Sequence, residues 1–169
     1  DNDFYFTISK PSKIDVLSIG NNNDFLTKIY TEKEFNFSTT PLENLNYNTI
    51  QNQQLIILNE LDFIPVTLTT TIQEFINMGG NIVIIPAENI DINNYNQFLN
   101  TLQIGNISAK IENKHSVTTI NYNHPLIQHV FEKKVTNFQY PTTNNYVSTQ
   151  LITAASILTL DNNQPFIAS

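Results

Sequence analysis

The stretch that most constrains this chain runs from Leu55 to Pro86: LIILNELDFIPVTLTTTIQEFINMGGNIVIIP. Leu55–Leu58 and Ile82–Ile85 are short, unbroken apolar runs, the pattern of strands buried on both faces. Between them Leu68, Ile72, Phe75 and Ile76 fall at i, i+4, i+7 and i+8, one stripe of a helix. Gly79-Gly80 ends that helix, because glycine enters the left-handed C-cap conformation at little cost. Strand, crossover helix and strand make a βαβ unit, so the sheet is expected to be parallel at its centre.

The flanking sequence extends this pattern in both directions. Ile14–Ile19 reads as a first strand ended by Gly20, and Asn21–Asp24 leads into a helix with Phe25, Leu26, Ile29 and Tyr30 on one face. Phe35–Ser38 reads as a second strand. Thr40-Pro41-Leu42-Glu43 predicts a short helix ending before Gln51, with Thr40 as N-cap and Glu43 closing a capping box. Beyond Pro86, Asp91 is placed to cap a helix carrying Ile92, Tyr95, Phe98, Leu99 and Leu102 as a stripe. From Asn106 the pattern becomes strand-like, at Ile107–Ile111 and Val117–Tyr122. Leu126, Ile127, Val130 and Phe131 suggest one or two helical turns after His124-Pro125. A further strand or two is expected between Phe138 and Val147, and Ile157–Leu160 with Pro165–Ile167 reads as a hairpin.

Composition narrows the function classes. The 169 residues carry a net charge of −7 and all eight basic residues are lysine, which argues against a nucleic-acid partner. No apolar run approaches the ~18 residues of a membrane span. With no cysteine there is no disulfide, no thiolate metal ligand and no cysteine nucleophile. The 26 asparagines read mainly as codon bias of an AT-rich genome. The opening at Asp1 suggests a piece of a longer protein.

Three groups of residues are candidates for chemistry. Gly20-Asn21-Asn22-Asn23-Asp24 occupies the first strand-to-helix turn, where a nucleotide-binding sheet carries its phosphate loop, yet it lacks GxGxxG and GxxxxGK[ST]; the plainer reading is a polar turn with an Asn or Asp cap. Asn59, Glu60 and Asp62 lie beyond one central strand and Glu88 beyond the next, at the sheet edge where ligands of open α/β sheets bind, so these acids could share a proton or a cation. The plainer reading is polar strand-end loops. His115, His124 and His129 complete the set. His124 and His129 stand about 140° apart on a helix, which rules out an HxxxH metal pair. A structural role suits His124, and no Ser sits in a GxSxG elbow. No metal and no cofactor are expected.

The order of elements resembles the class I glutamine amidotransferase-like fold. The resemblance is carried by Leu55–Pro86, the helix at Asp91–Leu102 and the His124-Pro125-Leu126 turn. More narrowly, the chain is similar to the extracytoplasmic region of Bacteroidetes membrane proteins of the aerotolerance (Bat-type) group. On that likeness Asp1–Phe6 matches the last strand of a preceding immunoglobulin-like domain, and Lys13–Gly20 the first strand of the α/β unit. Gly79–Pro86, His124–Leu126 and Asp161–Ile167 complete it.

The resemblance implies a three-layer, flavodoxin-like α/β domain over residues 11–169, with a mostly parallel central sheet and a C-terminal antiparallel extension. The domain would be truncated at its C-terminus, and residues 1–10 would be a remnant strand of the preceding β domain. Amidotransferases place a cysteine in a glycine-flanked elbow after the strand matching Ile82–Ile85. Here the chain reads Pro86-Ala87-Glu88-Asn89, so glutamine hydrolysis is not expected. The expected function is a non-catalytic, periplasmic module of an inner-membrane protein, binding proteins of a membrane-associated complex or neighbouring domains of its own chain. Membrane attachment would come through segments outside these residues. The alternative is a small-ligand site for sugar or peptide, or a weak hydrolase, using Glu60, Asp62, Glu88 and His124.

Overall fold

The computed structural model describes residues 12–128, 130 and 139–169. The expected strand at Asp3–Ser9, the remnant of a neighbouring domain at 1–10, and the expectations for His129, Phe131 and Phe138 lie outside the described residues. In order, the elements are β1 (Ile14–Gly20), α1 (Asp24–Ile29), β2 (Phe35–Thr40), β3 (Leu55–Leu61), α2 (Val66–Asn77), β4 (Asn81–Pro86), α3 (Ile92–Thr101), β5 (Gly105–Ile111), β6 (His115–Ile120), β7 (Thr142–Thr143), β8 (Tyr146–Leu151), β9 (Ser156–Leu160) and β10 (Pro165–Ala168). Two compact units divide them. The first takes the chain up to Leu61 together with Glu74–Ile85, and the second takes Asp62–Gln73 and Pro86–Ser169.

The first unit holds a four-stranded sheet in the order β2-β1-β3-β4. β1 pairs parallel with both neighbours, Val16 lying opposite Phe37 on one side and Leu55 on the other, so the parallel centre is as expected. Its core gathers Val16, Leu26 and Ile57, with Tyr30, Phe35, Phe37, Leu55 and Ile85 packed against them. Tyr30 meets the edge of Phe35 at 5.0 Å and stacks on Phe37 at 5.4 Å. Burying such a side chain is worth about 1.5–3 kcal/mol, and these few hold α1 to the sheet. Of the apolar face expected on α1, only Leu26 is buried; Phe25 and Ile29 are exposed.

Two strand expectations part company at the sheet. β3 is buried as its apolar run requires, with Ile56, Ile57 and Leu58 fully enclosed. β4 is only half-buried and Val83 is exposed, because β4 ends the sheet order rather than sitting inside it. The helix stop between them is a Schellman turn. Gly80 N–H bonds to Phe75 O at 3.0 Å and Gly79 N–H to Ile76 O at 2.9 Å, with Gly79 at φ 93°.

The capping box at Thr40 does not form. Thr40 is the last residue of β2, opposite Ile19, and its hydroxyl bonds to Pro41 O instead of capping. Two short 3₁₀ turns follow, Leu42–Asn44 and Tyr47–Asn52, and the second runs past Gln51. Strand pairing has claimed the residue that a cap would need.

The second unit is mixed. α3 begins as expected, with Asp91 Oδ1 accepting the Asn94 N–H at 3.1 Å, and buries Tyr95, Phe98 and Leu99. Asn96 on α3 bonds both backbone groups of Ile107 in β5, at 2.7 and 2.9 Å. β5 pairs antiparallel with β8, and a second antiparallel sheet runs β10-β9-β6-β7. The expected hairpin is β9–β10, and the antiparallel C-terminal part is present. The chain after His124 forms a turn, with Ile127 and Gln128 N–H both bonded to His124 O.

Candidate functional site

In the first unit the sequence candidates gather at the carboxyl ends of β1 and β3, adjacent strands whose connections leave in opposite directions. That is where open α/β sheets leave a crevice. Gly20 there is irreplaceable by geometry: at φ 135°, a Cβ would fall 1.9 Å from the Asn59 carbonyl oxygen. Asn59 was expected in a loop but lies within β3 and is fully buried. Its amide nitrogen donates to Asn21 O at 2.6 Å and to Asn23 Oδ1 at 3.2 Å. Ser18 Oγ donates to Asn23 Oδ1 at 2.5 Å, and Asn23 Nδ2 donates to Gly20 O at 3.0 Å.

Asn23 is therefore not the side-chain cap of α1 that the turn suggested; its side chain faces back into the turn. Glu60, also a β3 residue, is exposed at φ 52°, and its Oε2 accepts Asn22 Nδ2 at 3.2 Å, with Asn22 itself at φ 58°. Two non-glycine residues in the left-handed region face each other across the turn. The surface so formed is rich in oxygen acceptors, a poor match for a phosphate.

In the second unit Asp62 is exposed, and its backbone oxygen accepts the Asp91 N–H at 3.1 Å. Burial pushes the Tyr95 phenol up to about 12, a hydrogen bond with the Ala87 backbone opposes that shift, and the Asp62 carboxylate adds to it. Glu88 is exposed in the loop after β4, with its Oε1 bonded to Asn145 Nδ2 at 3.0 Å. His124 is buried, and its Nδ1 accepts the Leu126 N–H at 3.3 Å, which makes it the organiser of its own turn. Among the described residues no three His, Cys, Asp or Glu side chains gather as a metal-binding group.

The residue pair that sequence reading missed is His115 and Asp161. His115 Nδ1 lies 2.5 Å from Asp161 Oδ1, and the Ser116 N–H reaches the other carboxylate oxygen at 3.2 Å. The hydrogen bond from His115, then that from Ser116, holds the Asp161 carboxyl below its ordinary value. Tyr146 sets its ring edge-on to the imidazole at 5.4 Å and accepts the Asn162 amide at 2.6 Å. The pair joins the start of β6 to the turn between β9 and β10. Their separation of 46 residues left no local signal.

Two shallow hollows in the first unit, about 260 and 420 Å³, are lined by Gln53 together with residues such as Phe75 and Met78, or Phe35 and Asp15. Both adjoin the amino-terminal starts of the strands, away from the candidate carboxylate Glu60.

Neither a protein-family model nor a characterised protein sequence matches this chain. Solved structures do. A ThuA-like protein from Bacteroides uniformis superposes with a TM-score of 0.60 at 13% identity, over 94% of this chain and 72% of that one. The α-L-fucosidase isoenzyme 2 from Paenibacillus thiaminolyticus superposes with a TM-score of 0.56 at 9% identity, over 92% of this chain and 24% of that one. The likeness concerns the fold alone. It is a mixed α/β fold with a parallel sheet and antiparallel sheets, consistent with the glutamine amidotransferase-like class.

Proposed function

We propose that this chain is a non-catalytic interaction or structural module built on an amidotransferase-like scaffold, three-layered and flavodoxin-like in plan. The observation that carries the reading is the turn after β4. It reads Pro86-Ala87-Glu88-Asn89, without nucleophile or flanking glycines, and its one reactive group is tied to Asn145. The other candidates have similar local duties: Glu60 holds Asn22 and His124 holds its own turn. Placement outside a bacterial inner membrane, in a protein of the aerotolerance group, rests on the resemblance of Lys13–Gly20, Gly79–Pro86 and Asp161–Ile167. No described helix is long and apolar enough to cross a membrane. The partners of the module are other proteins of a membrane complex, or neighbouring domains of its own chain.

The exposed carboxylate of Glu60, at the crevice of the parallel sheet, favours a second reading: a small-ligand site for a sugar or peptide. A thermal-shift screen separates the two, because a ligand selective for the folded state raises the melting temperature. The module reading expects no shift with glutamine, monosaccharides or short peptides, and no release of ammonia from glutamine. A saturable shift that disappears in Glu60→Gln replaces it with the ligand reading.

A further inference from the structure

β2 is an open edge of the parallel sheet. Among the described residues it pairs on one side only, with β1, in unbroken register from Phe35 to Thr40. The Ile14 N–H bonds to Glu34 O at 2.9 Å, which sets the phase of the ladder. Alternate residues of a strand bond to the same parallel neighbour, so Asn36, Ser38 and Thr40 turn their backbone groups toward β1. Phe35, Phe37 and Thr39 turn theirs outward, where the Phe35 N–H is taken by Thr31 O at 3.1 Å. Such a row is a template for a further strand, and proteins commonly guard it with charge, proline or a bulge. β2 reads FNFSTT and has none of the three. β4, at the other edge, closes on Pro86, which has no N–H to offer. The surface beside β2 is apolar as well. Tyr30 at the end of α1 packs on Phe35 and Phe37, all three half-buried, while Phe25 and Ile29, four apart on that helix, are exposed.

We infer that two copies of this chain associate through β2, antiparallel about a two-fold axis at Phe37, so that one sheet runs through both. In that register the strand is its own complement. Phe37 faces Phe37 of the second copy, Asn36 faces Ser38, and Phe35 faces Thr39. No charge meets a like charge, because Glu34 falls opposite Thr40 and Lys33 opposite Pro41. Phe37 exchanges both of its outward backbone bonds with its twin, and the Thr39 N–H reaches the Phe35 carbonyl. Aromatic side chains placed directly opposite one another add to the backbone bonding. The two-fold arrangement also closes both edges at once, which a head-to-tail contact would not do. A strand of six residues makes a small interface, and the exposed Phe25 and Ile29 enlarge it, so affinity in the micromolar range is expected. This inference goes beyond the proposed function, since a paired scaffold serves a binding module and a ligand site alike.

The test is sedimentation of the 169-residue chain over a range of concentrations. The expected mass rises from 19.3 kDa towards twice that value as concentration passes through the micromolar range. Thr39→Pro removes an outward N–H that β1 does not use, and is expected to weaken association roughly tenfold with Tm unchanged. Should Thr39→Pro fail to fold, a disulfide trap decides. The chain has no cysteine, so chains carrying Asn36→Cys are mixed with chains carrying Ser38→Cys. Both positions are exposed and lie opposite each other in the proposed pairing at a Cα separation of about 4.5 Å, so a disulfide between the unlike chains is expected. A mass that stays at 19.3 kDa up to about 1 mM, association that a folded Thr39→Pro leaves unchanged, or a mixture without that disulfide overturns the assignment.

Discussion

Asn94 satisfies both backbone groups of Ile64: its Oδ1 accepts the Ile64 N–H at 2.7 Å and its Nδ2 donates to the Ile64 carbonyl at 2.8 Å. Both residues are buried, and 30 positions separate them. The side chain acts as a strand edge would, completing backbone hydrogen bonding where no strand passes.

Replacing Asn94 by Ala leaves a buried N–H and a buried C=O unpaired. The expected loss is about 2–4 kcal/mol, read as a lower urea midpoint with an unchanged slope. Asn94→Asp keeps an acceptor for the Ile64 N–H but sets a carboxylate against the Ile64 carbonyl, so it recovers little. A loss below about 0.5 kcal/mol, the range of an ordinary surface change, would mean that Ile64 finds other partners.

This pair also marks where the sequence stopped being legible. Asparagine is abundant along the whole chain, yet Asn59, Asn94 and Asn96 are buried or half-buried and each bonds backbone groups of another element, 38, 30 and 11 positions away. Composition hides such roles, because an asparagine in a turn and one clamping a strand look alike in a row of letters. The βαβ unit was readable because apolar period and a glycine stop are local signals. The half-exposure of β4 was not, since a run such as Ile82–Ile85 does not reveal its place in the strand order. The lost capping box at Thr40 is the same lesson in reverse: the local signal was present, and pairing of Thr40 with Ile19 overrode it.

The Schellman turn after α2 separates two glycine effects. At Gly79 a Cβ would meet nothing within 4 Å, so Gly79→Ala is expected to lose only the conformational term, about 1 kcal/mol. At Gly80 a Cβ would lie 2.3 Å from the Phe75 ring. Gly80→Ala must displace a buried aromatic and is expected to cost more, about 1–3 kcal/mol. Denaturant unfolding of the two variants checks the order, and the reverse order would contradict this account of the turn.

His115 and Asp161 make stability depend on pH in one direction. The folded pKa of Asp161 is depressed, so its contribution is present above the unfolded carboxylate value of about 3.9 and is lost as pH falls through the lower folded value. Stability measured from pH 6 downward should therefore fall less steeply in Asp161→Asn than in the unaltered chain. Because Asp161 is exposed, the difference is screened and should shrink further in high salt. Parallel pH profiles for the two proteins would show that the contact does not survive in solution.

The central claim is that the scaffold serves association and carries no chemistry at the turn after β4. Its most direct test is cross-linking of the full-length protein in living cells, followed by mass spectrometry of peptides from this domain. The account predicts cross-links from exposed lysines such as Lys28, Lys33 and Lys114 to other proteins of a membrane complex or to adjoining domains of the same chain. Peptides of this domain found only as internal cross-links, in a protein recovered from the soluble fraction, would contradict it.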